Sequence, residues 1–142
     1  METTLRDMLR RHWGHDDFRH GQLALIQAAV SGHDVLGILP TGGGKSVCYQ
    51  VAGLVRGGLT LVVSPLIALM ADQVDALNRR GLPATFLNST LGADEIDSRL
   101  LATQRGEWKF LYVAPERLRT RIFVDRLASR DYYLARPRAR HD

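Results

Sequence analysis

The stretch Val35-Leu36-Gly37-Ile38-Leu39-Pro40-Thr41-Gly42-Gly43-Gly44-Lys45-Ser46 joins a short apolar run to a glycine-rich loop. A continuous apolar run of this length is typical of a strand that is buried on both faces of a sheet. Three successive glycines allow backbone conformations that are closed to other residues, so their N–H groups can turn toward a phosphate. The helix predicted from Lys45 presents its positive end to the same place. The pattern therefore predicts a phosphate-binding loop between a buried strand and a helix.

The loop assigns roles to individual side chains. The Lys45 ammonium is placed to reach the β- and γ-phosphates of ATP, and the Ser46 hydroxyl is placed to bind Mg²⁺. Leu39 stands where the strict pattern has a glycine, which leaves open a glycine-rich turn followed by a chance Lys-Ser pair. The predicted nucleotide ligands in this loop are Thr41, Gly42, Gly43, Gly44, Lys45 and Ser46, with Ser46 also the metal ligand.

Downstream of the loop, apolar runs alternate with helical patterns. Strands are predicted at Leu59–Val63, Thr85–Leu87 and Phe110–Val113, in addition to Val35–Leu39. Helices are predicted at about 5–13, 19–30, 45–56, 64–80, 94–104 and 115–128. Ser64 is expected to cap the fourth of these helices, with Pro65 in its first turn and Leu66 on its apolar face. Alternation of this kind predicts an α/β fold with a parallel sheet and helices on both faces.

The composition excludes several classes of protein. The chain has 142 residues, of which 45% are hydrophobic and 24% charged, so it is expected to fold as about one domain. One cysteine excludes an internal disulfide framework. The longest uncharged stretch, 57–71, is shorter than a membrane span needs. We therefore expect a cytoplasmic protein with no membrane partner, and the sequence contains no signal for a particular oligomeric state.

The net charge of +4 is unevenly distributed. From Arg117 to the end the chain has eight Arg and three Asp, a net of +5, so residues 1–116 have a net charge of −1. The basicity is thus confined to the last 26 residues.

Five segments in order along the chain resemble the RecQ-type DNA helicases of superfamily 2. The segment 18–22 resembles the motif 0 of that family, 39–50 its motif I, 64–74 its motif Ia, 87–90 the segment after it, and 112–118 its motif Ib region. The resemblance implies an incomplete P-loop, RecA-like sheet in three layers. We predict residues 5–128 to be the N-terminal part of a helicase ATP-binding domain and 129–142 to be an atypical basic tail without regular structure.

The resemblance also implies further site residues. Gln22 would read the adenine edge of ATP with support from Arg19, and single-stranded DNA would be held by Ser64, Pro65, Asn88, Ser89, Thr90 and Pro115. Two alternatives are open at these positions. Arg19 could form an ion pair with Asp16 or Asp17, and residues 88–90 could simply cap the next helix.

Hydrolysis in that family requires an Asp-Glu-Ala-His box about twenty residues after the Pro-Glu-Arg-Leu segment, and the sequence has Arg138-Ala139-Arg140-His141 there. We therefore expect the chain to be an ATP-binding part of a helicase that is inactive alone, and we hypothesise a shifted reading frame from about Arg130. One alternative is a non-hydrolysing nucleotide or single-stranded-DNA binding module that regulates a full helicase. A small-molecule kinase is a weaker alternative, because it explains neither Gln22 nor the segment 64–74.

Overall fold

The computed structural model describes residues 1–33, 45–121, 123 and 132–135. The chain divides into two compact units, Met1–Gly57 and Gly58–Asp142. The predicted strand Val35–Leu39 and the glycine loop up to Gly44 lie outside the described residues.

The first unit contains three helices, α1 (Glu2–Trp13), α2 (Gln22–Val30) and α3 (Lys45–Arg56). The α1 helix ends where Gly14 adopts a left-handed conformation with φ of 73°. Arg56 at the end of α3 donates to the Ala29 carbonyl near the end of α2 at 2.8 Å. The helices bury the apolar side chains Leu5, Leu9, Trp13, Ile26, Ala29, Val51 and Ala52.

The second unit is built around a four-stranded parallel sheet. Its elements in chain order are β1 (Leu59–Val63), α4 (Ile67–Arg79), β2 (Ala84–Leu87), α5 (Ala93–Gln104), β3 (Phe110–Val113), a 3-10 helix (Pro115–Arg119) and β4 (Tyr132–Ala135). The strand order is β2-β3-β1-β4, and all three pairings are parallel. The α/β class and the three downstream strands predicted from the sequence are thereby confirmed.

The two helices that follow β1 and β2 cover opposite faces of this sheet. On one face, Ile96 and Leu100 of α5 join a buried cluster with Leu111 and Val113 of β3. Tyr112 lies between these two strand residues and so points to the other face, where its hydroxyl bonds to Gln73 of α4 at 3.2 Å. The α4 residues Met70, Val74 and Leu77 are buried. The unit therefore has the three layers that the sequence predicts.

The outer edge of β2 is covered by a side chain from α5. Arg99 donates to the Phe86 carbonyl at 3.0 Å and to the Thr85 hydroxyl at 3.1 Å, and its guanidinium lies 4.8 Å from the centre of the Phe86 ring. Glu95 accepts a further bond from Arg99 at 2.9 Å. An outward carbonyl of an edge strand is thereby satisfied within the chain, which blocks one position where another strand could pair.

Three local predictions are wrong. The α4 helix begins at Ile67 after Leu66, and no side chain caps it, because Ser64 is still held in the sheet by the bond from its N–H to the Val113 carbonyl. Leu66 is consequently 42% exposed and not part of the apolar face. The helix predicted from Pro115 is interrupted, because a 3-10 helix ends before Thr120, whose backbone is extended.

A fourth prediction that is wrong concerns the end of the chain. An irregular tail was expected from the absence of periodicity, yet Tyr132–Ala135 forms β4 and pairs with β1. Pairing with a strand that is already buried supplies the hydrogen bonds that a short, unpatterned segment lacks by itself.

Candidate nucleic-acid and nucleotide site

The carboxyl ends of three strands meet at one edge of the sheet. Val113 of β3 is paired with Val63 of β1 and with Leu87 of β2. The residues that follow, Ser64, Asn88 and Ala114, therefore leave the sheet at the same level. We call this the carboxyl edge, and it contains all six residues predicted to bind single-stranded DNA.

Ser64 and Pro65 form the turn between β1 and α4. The Ser64 side chain is buried, and its hydroxyl accepts a hydrogen bond from the Leu66 N–H at 3.2 Å. Pro65 is exposed, and beside it Leu66 and Leu69 are 42% and 49% exposed. This part of the carboxyl edge therefore has an apolar surface, and the Ser64 hydroxyl beneath it is already hydrogen-bonded to the Leu66 N–H.

The segment after β2 separates into a buried and an exposed part. Asn88 is only 2% exposed, whereas Ser89 and Thr90 are exposed. Residues 88–90 do not cap the next helix, which was the alternative reading of this segment. The α5 helix begins after Gly92, and no side chain caps it. Two small side chains with hydroxyl groups are thus exposed at this edge.

Pro115 begins the 3-10 helix after β3 and is exposed. Two residues later, Arg117 reaches back to the Asn88 carbonyl at 3.5 Å, and its own carbonyl accepts a bond from the Thr120 hydroxyl at 2.8 Å. The sequence analysis gave Arg117 no role. The feature of the sequence that could have identified Arg117 is its position in the Pro-Glu-Arg-Leu segment.

The residues predicted to contact ATP lie in the first unit where the structure describes them. Gln22 is buried at the start of α2, and its Oε1 accepts a hydrogen bond from the Arg19 N–H at 2.8 Å, so the two residues are joined in one turn. Asp16 pairs with Arg10 at 3.4 Å, and Asp17 pairs with Arg6. The Arg6 guanidinium lowers the pKa of the Asp17 carboxyl, and the Phe18 N–H adds to this effect.

Lys45 and Ser46 are the first two residues of α3 and are half-buried. In residues 1–33 and 45–57, no hydrogen bond or ion pair occupies their side chains. An ammonium and a hydroxyl at the amino end of a helix of 12 residues fit a phosphate with its magnesium ion. Their four predicted partners, Thr41, Gly42, Gly43 and Gly44, lie outside the described residues.

Cys48 is one turn further along α3. Burial raises the pKa of its thiol to about 11. The thiol is therefore neutral at physiological pH, as expected for a small partly buried side chain without chemistry of its own.

The described residues include no group of three or more His, Cys, Asp or Glu side chains that could hold a metal ion. Within the same ranges, none of the helices has both the length and the apolar character that crossing a bilayer requires.

Comparisons with known proteins agree with this architecture. The family model for the DEAD/DEAH box helicase matches residues 19–135. The ATP-dependent DNA helicase RecQ of Synechocystis sp. is 48% identical over 115 residues, which are 81% of this chain and 24% of that protein. RecQ of Haemophilus influenzae is 44% identical over 123 residues, with 84% and 19% covered, and RecQ of Bacillus subtilis is 42% identical over 120 residues, with 84% and 20% covered.

The chain thus spans between 19% and 24% of the length of these three relatives. The family match continues through β4, beyond the point where the sequence motifs end. The chain belongs to the DEAD/DEAH box helicases, and it corresponds to the N-terminal region of a RecQ-family member.

Proposed function

We propose that this chain is the ATP-binding part of an ATP-dependent DNA helicase and that its carboxyl edge binds single-stranded DNA. The observation that supports the DNA site best is the alignment of Ser64, Asn88 and Ala114 at one level by the β1, β3 and β2 register. This alignment gathers three segments that are far apart in sequence. The relatives are named as DNA helicases, which supports nucleic acid as the ligand.

The proposed DNA contacts are small and uncharged. The exposed side chains of Ser89, Thr90, Pro65 and Pro115, with nearby backbone N–H groups, would bind phosphate and sugar, a mode of binding that does not depend on base sequence. Ser64 and Asn88 belong to the same proposed site, although both are buried. We propose that DNA binding here has a weak dependence on salt, because few cationic groups replace counterions.

The proposed nucleotide site comprises Arg19, Gln22, Thr41, Gly42, Gly43, Gly44, Lys45 and Ser46. Lys45 would neutralise charge on the β- and γ-phosphates, and Ser46 would hold Mg²⁺. In a helicase, the energy for movement comes from hydrolysis of ATP, and ATP bound at this site would be that substrate. Gln22 would read the adenine from the turn that it already shares with Arg19.

Replacing Lys45 tests the nucleotide site. Lys45→Ala should weaken the binding of a fluorescent ATP derivative with Mg²⁺ by about tenfold or more, because a charge-assisted contact to phosphate is lost. Lys109→Ala is the matched control, since it removes the other lysine of the chain, which is exposed and in the second unit. Equal affinity in the parent chain and in Lys45→Ala would show that the loop does not bind nucleotide.

We also propose that these 142 residues do not hydrolyse ATP by themselves. The residues after β4 begin Arg136-Pro137-Arg138, and none of them supplies the pair of carboxylates that orients Mg²⁺ and water. A phosphate-release assay should find no hydrolysis above background. Release that is stimulated by DNA and abolished in Lys45→Ala contradicts the proposal.

A second candidate is a binding module that regulates a complete helicase. The covering of the β2 edge by Arg99 favours it, because a piece with protected edges can remain soluble. Sedimentation and thermal melting of the purified chain distinguish the two. A cooperative transition in a monomer supports the module, whereas insoluble material supports a remnant of a larger enzyme.

For either function we propose a location in the cytoplasm, because we expect the nucleotide there.

A further inference from the structure

Asn88 occupies a position where a DNA contact is expected, but its side chain is enclosed. It is 2% exposed, while its neighbours Ser89 and Thr90 are exposed. A ligand at the carboxyl edge can therefore reach the two hydroxyl side chains without reaching the Asn88 carboxamide.

Both ends of the Asn88 carboxamide are engaged within the protein. Its Oδ1 accepts hydrogen bonds from the Thr90 backbone N–H at 2.9 Å and from the Thr90 hydroxyl at 2.5 Å. Its Nδ2 donates to the Met70 sulfur at 3.7 Å. An asparagine that binds the N–H two residues ahead closes a tight turn, and here it also accepts the single hydroxyl proton of Thr90.

The Asn88 backbone carbonyl connects the same turn to the segment after β3. It accepts bonds from the Leu91 N–H at 3.2 Å and from the Arg117 guanidinium at 3.5 Å. Within the described part of the chain, the enclosed Nε of Arg117 has no hydrogen-bond partner, and no carboxylate pairs with this guanidinium. The contact of the Arg117 side chain with this edge is therefore its bond to the Asn88 carbonyl.

Asn88 thus contacts all three segments of the carboxyl edge. Met70 belongs to α4, which follows the Ser64 turn, Thr90 belongs to the segment after β2, and Arg117 belongs to the 3-10 helix that begins at Pro115. We propose that Asn88, supported by Arg117, is a positioning residue that closes the turn on which the exposed Ser89 is presented to single-stranded DNA and that makes no contact with DNA itself. This inference rests on the proposed function.

Asn78 provides a matched control within the same sheet. It binds both the N–H of Ala84, at 2.9 Å, and the Ala84 carbonyl, at 3.1 Å, and so holds the amino end of β2 as Asn88 holds the carboxyl end. Both residues stabilise the chain, but only Asn88 lies at the proposed DNA site. Comparing Asn88→Ala with Asn78→Ala therefore separates a loss of positioning from a general loss of stability.

The first experiment is fluorescence anisotropy of a labelled oligothymidylate with the full chain at several salt concentrations. Asn88→Ala should weaken binding about tenfold, while Asn78→Ala should stay within about twofold of the parent. The slope of log Kd against log salt should be the same in Asn88→Ala and the parent, because no phosphate contact is removed. Equal losses in the two variants, or parent-like binding by Asn88→Ala, overturn the inference.

The second experiment is amide hydrogen exchange in the free chain. Asn88→Ala should speed exchange of the Thr90 N–H about tenfold, because its acceptor is removed, and Arg117→Lys should speed exchange at Leu91 to a smaller extent. Unchanged exchange at Thr90 contradicts the positioning role. If the parent chain does not bind the oligothymidylate, the proposed function fails, and the exchange rates still decide whether Asn88 holds the turn.

Discussion

The two edges of the sheet are built from the same strands but use their polar groups differently. At the amino edge, the Thr60 N–H donates to the Lys109 carbonyl at 2.8 Å, and the Lys109 N–H donates to the Pro83 carbonyl at 2.8 Å. At the carboxyl edge, Asn88 is likewise engaged internally, but Ser89 and Thr90 remain exposed. In open parallel sheets ligands bind outside the carboxyl ends of the strands, and in this chain that is where small polar side chains are exposed.

The largest effect on stability is expected at the amino edge. Asn78→Ala removes two hydrogen bonds to Ala84 and should lower the free energy of unfolding by about 2 kcal/mol. Urea denaturation measures the change. The affinity for an oligothymidylate should stay within about twofold of the parent. A variant that loses stability and DNA affinity together would mean that the two edges are not independent.

A smaller effect, confined to binding, is expected at the carboxyl edge. Ser89→Ala removes an exposed hydroxyl at the proposed DNA site, so it should weaken DNA binding about fivefold and change stability little. Anisotropy titration measures the affinity, and thermal melting measures the stability. Parent-like affinity in Ser89→Ala would exclude this hydroxyl from the DNA site.

No effect on binding, and a small gain in stability, is expected when a hydroxyl is removed at the amino edge. The Thr60 side chain is fully buried, and among residues 45–121, 123 and 132–135 its hydroxyl has no hydrogen-bond partner. Thr60→Val should therefore raise the free energy of unfolding by about 1 kcal/mol, because a buried polar group without a partner is removed. DNA affinity should not change. A decrease in stability would show that the hydroxyl has a bonding role in the sheet.

The sequence predicted the parts of the fold that have a strong local signal. Strands β1 and β3 are short continuous apolar runs, and α4 carries Met70, Val74 and Leu77 at helical spacing. Each of these patterns is decided by neighbouring residues, and each was confirmed.

Features that depend on distant partners were not predicted. Strand β4 has no periodicity of its own and forms by pairing with β1, and Leu66 is exposed because Ser64 is held in the sheet. The burial of Asn88 depends on Met70 and Arg117, which are 18 and 29 residues away in the sequence. Local pattern alone carries no information about such contacts, so the sequence named Asn88 as a DNA contact and assigned Arg117 no role.

The raised pKa of Cys48 has a practical consequence for work on this chain. The thiol is the only one in the sequence, and with a pKa of about 11 it reacts slowly with alkylating reagents near neutral pH while α3 is folded. In the unfolded chain the thiolate fraction at pH 8 rises by about a hundredfold. The rate of Cys48 alkylation therefore reports how often Met1–Gly57 unfolds, and mass spectrometry can measure that rate. The sheet of the second unit can be observed separately.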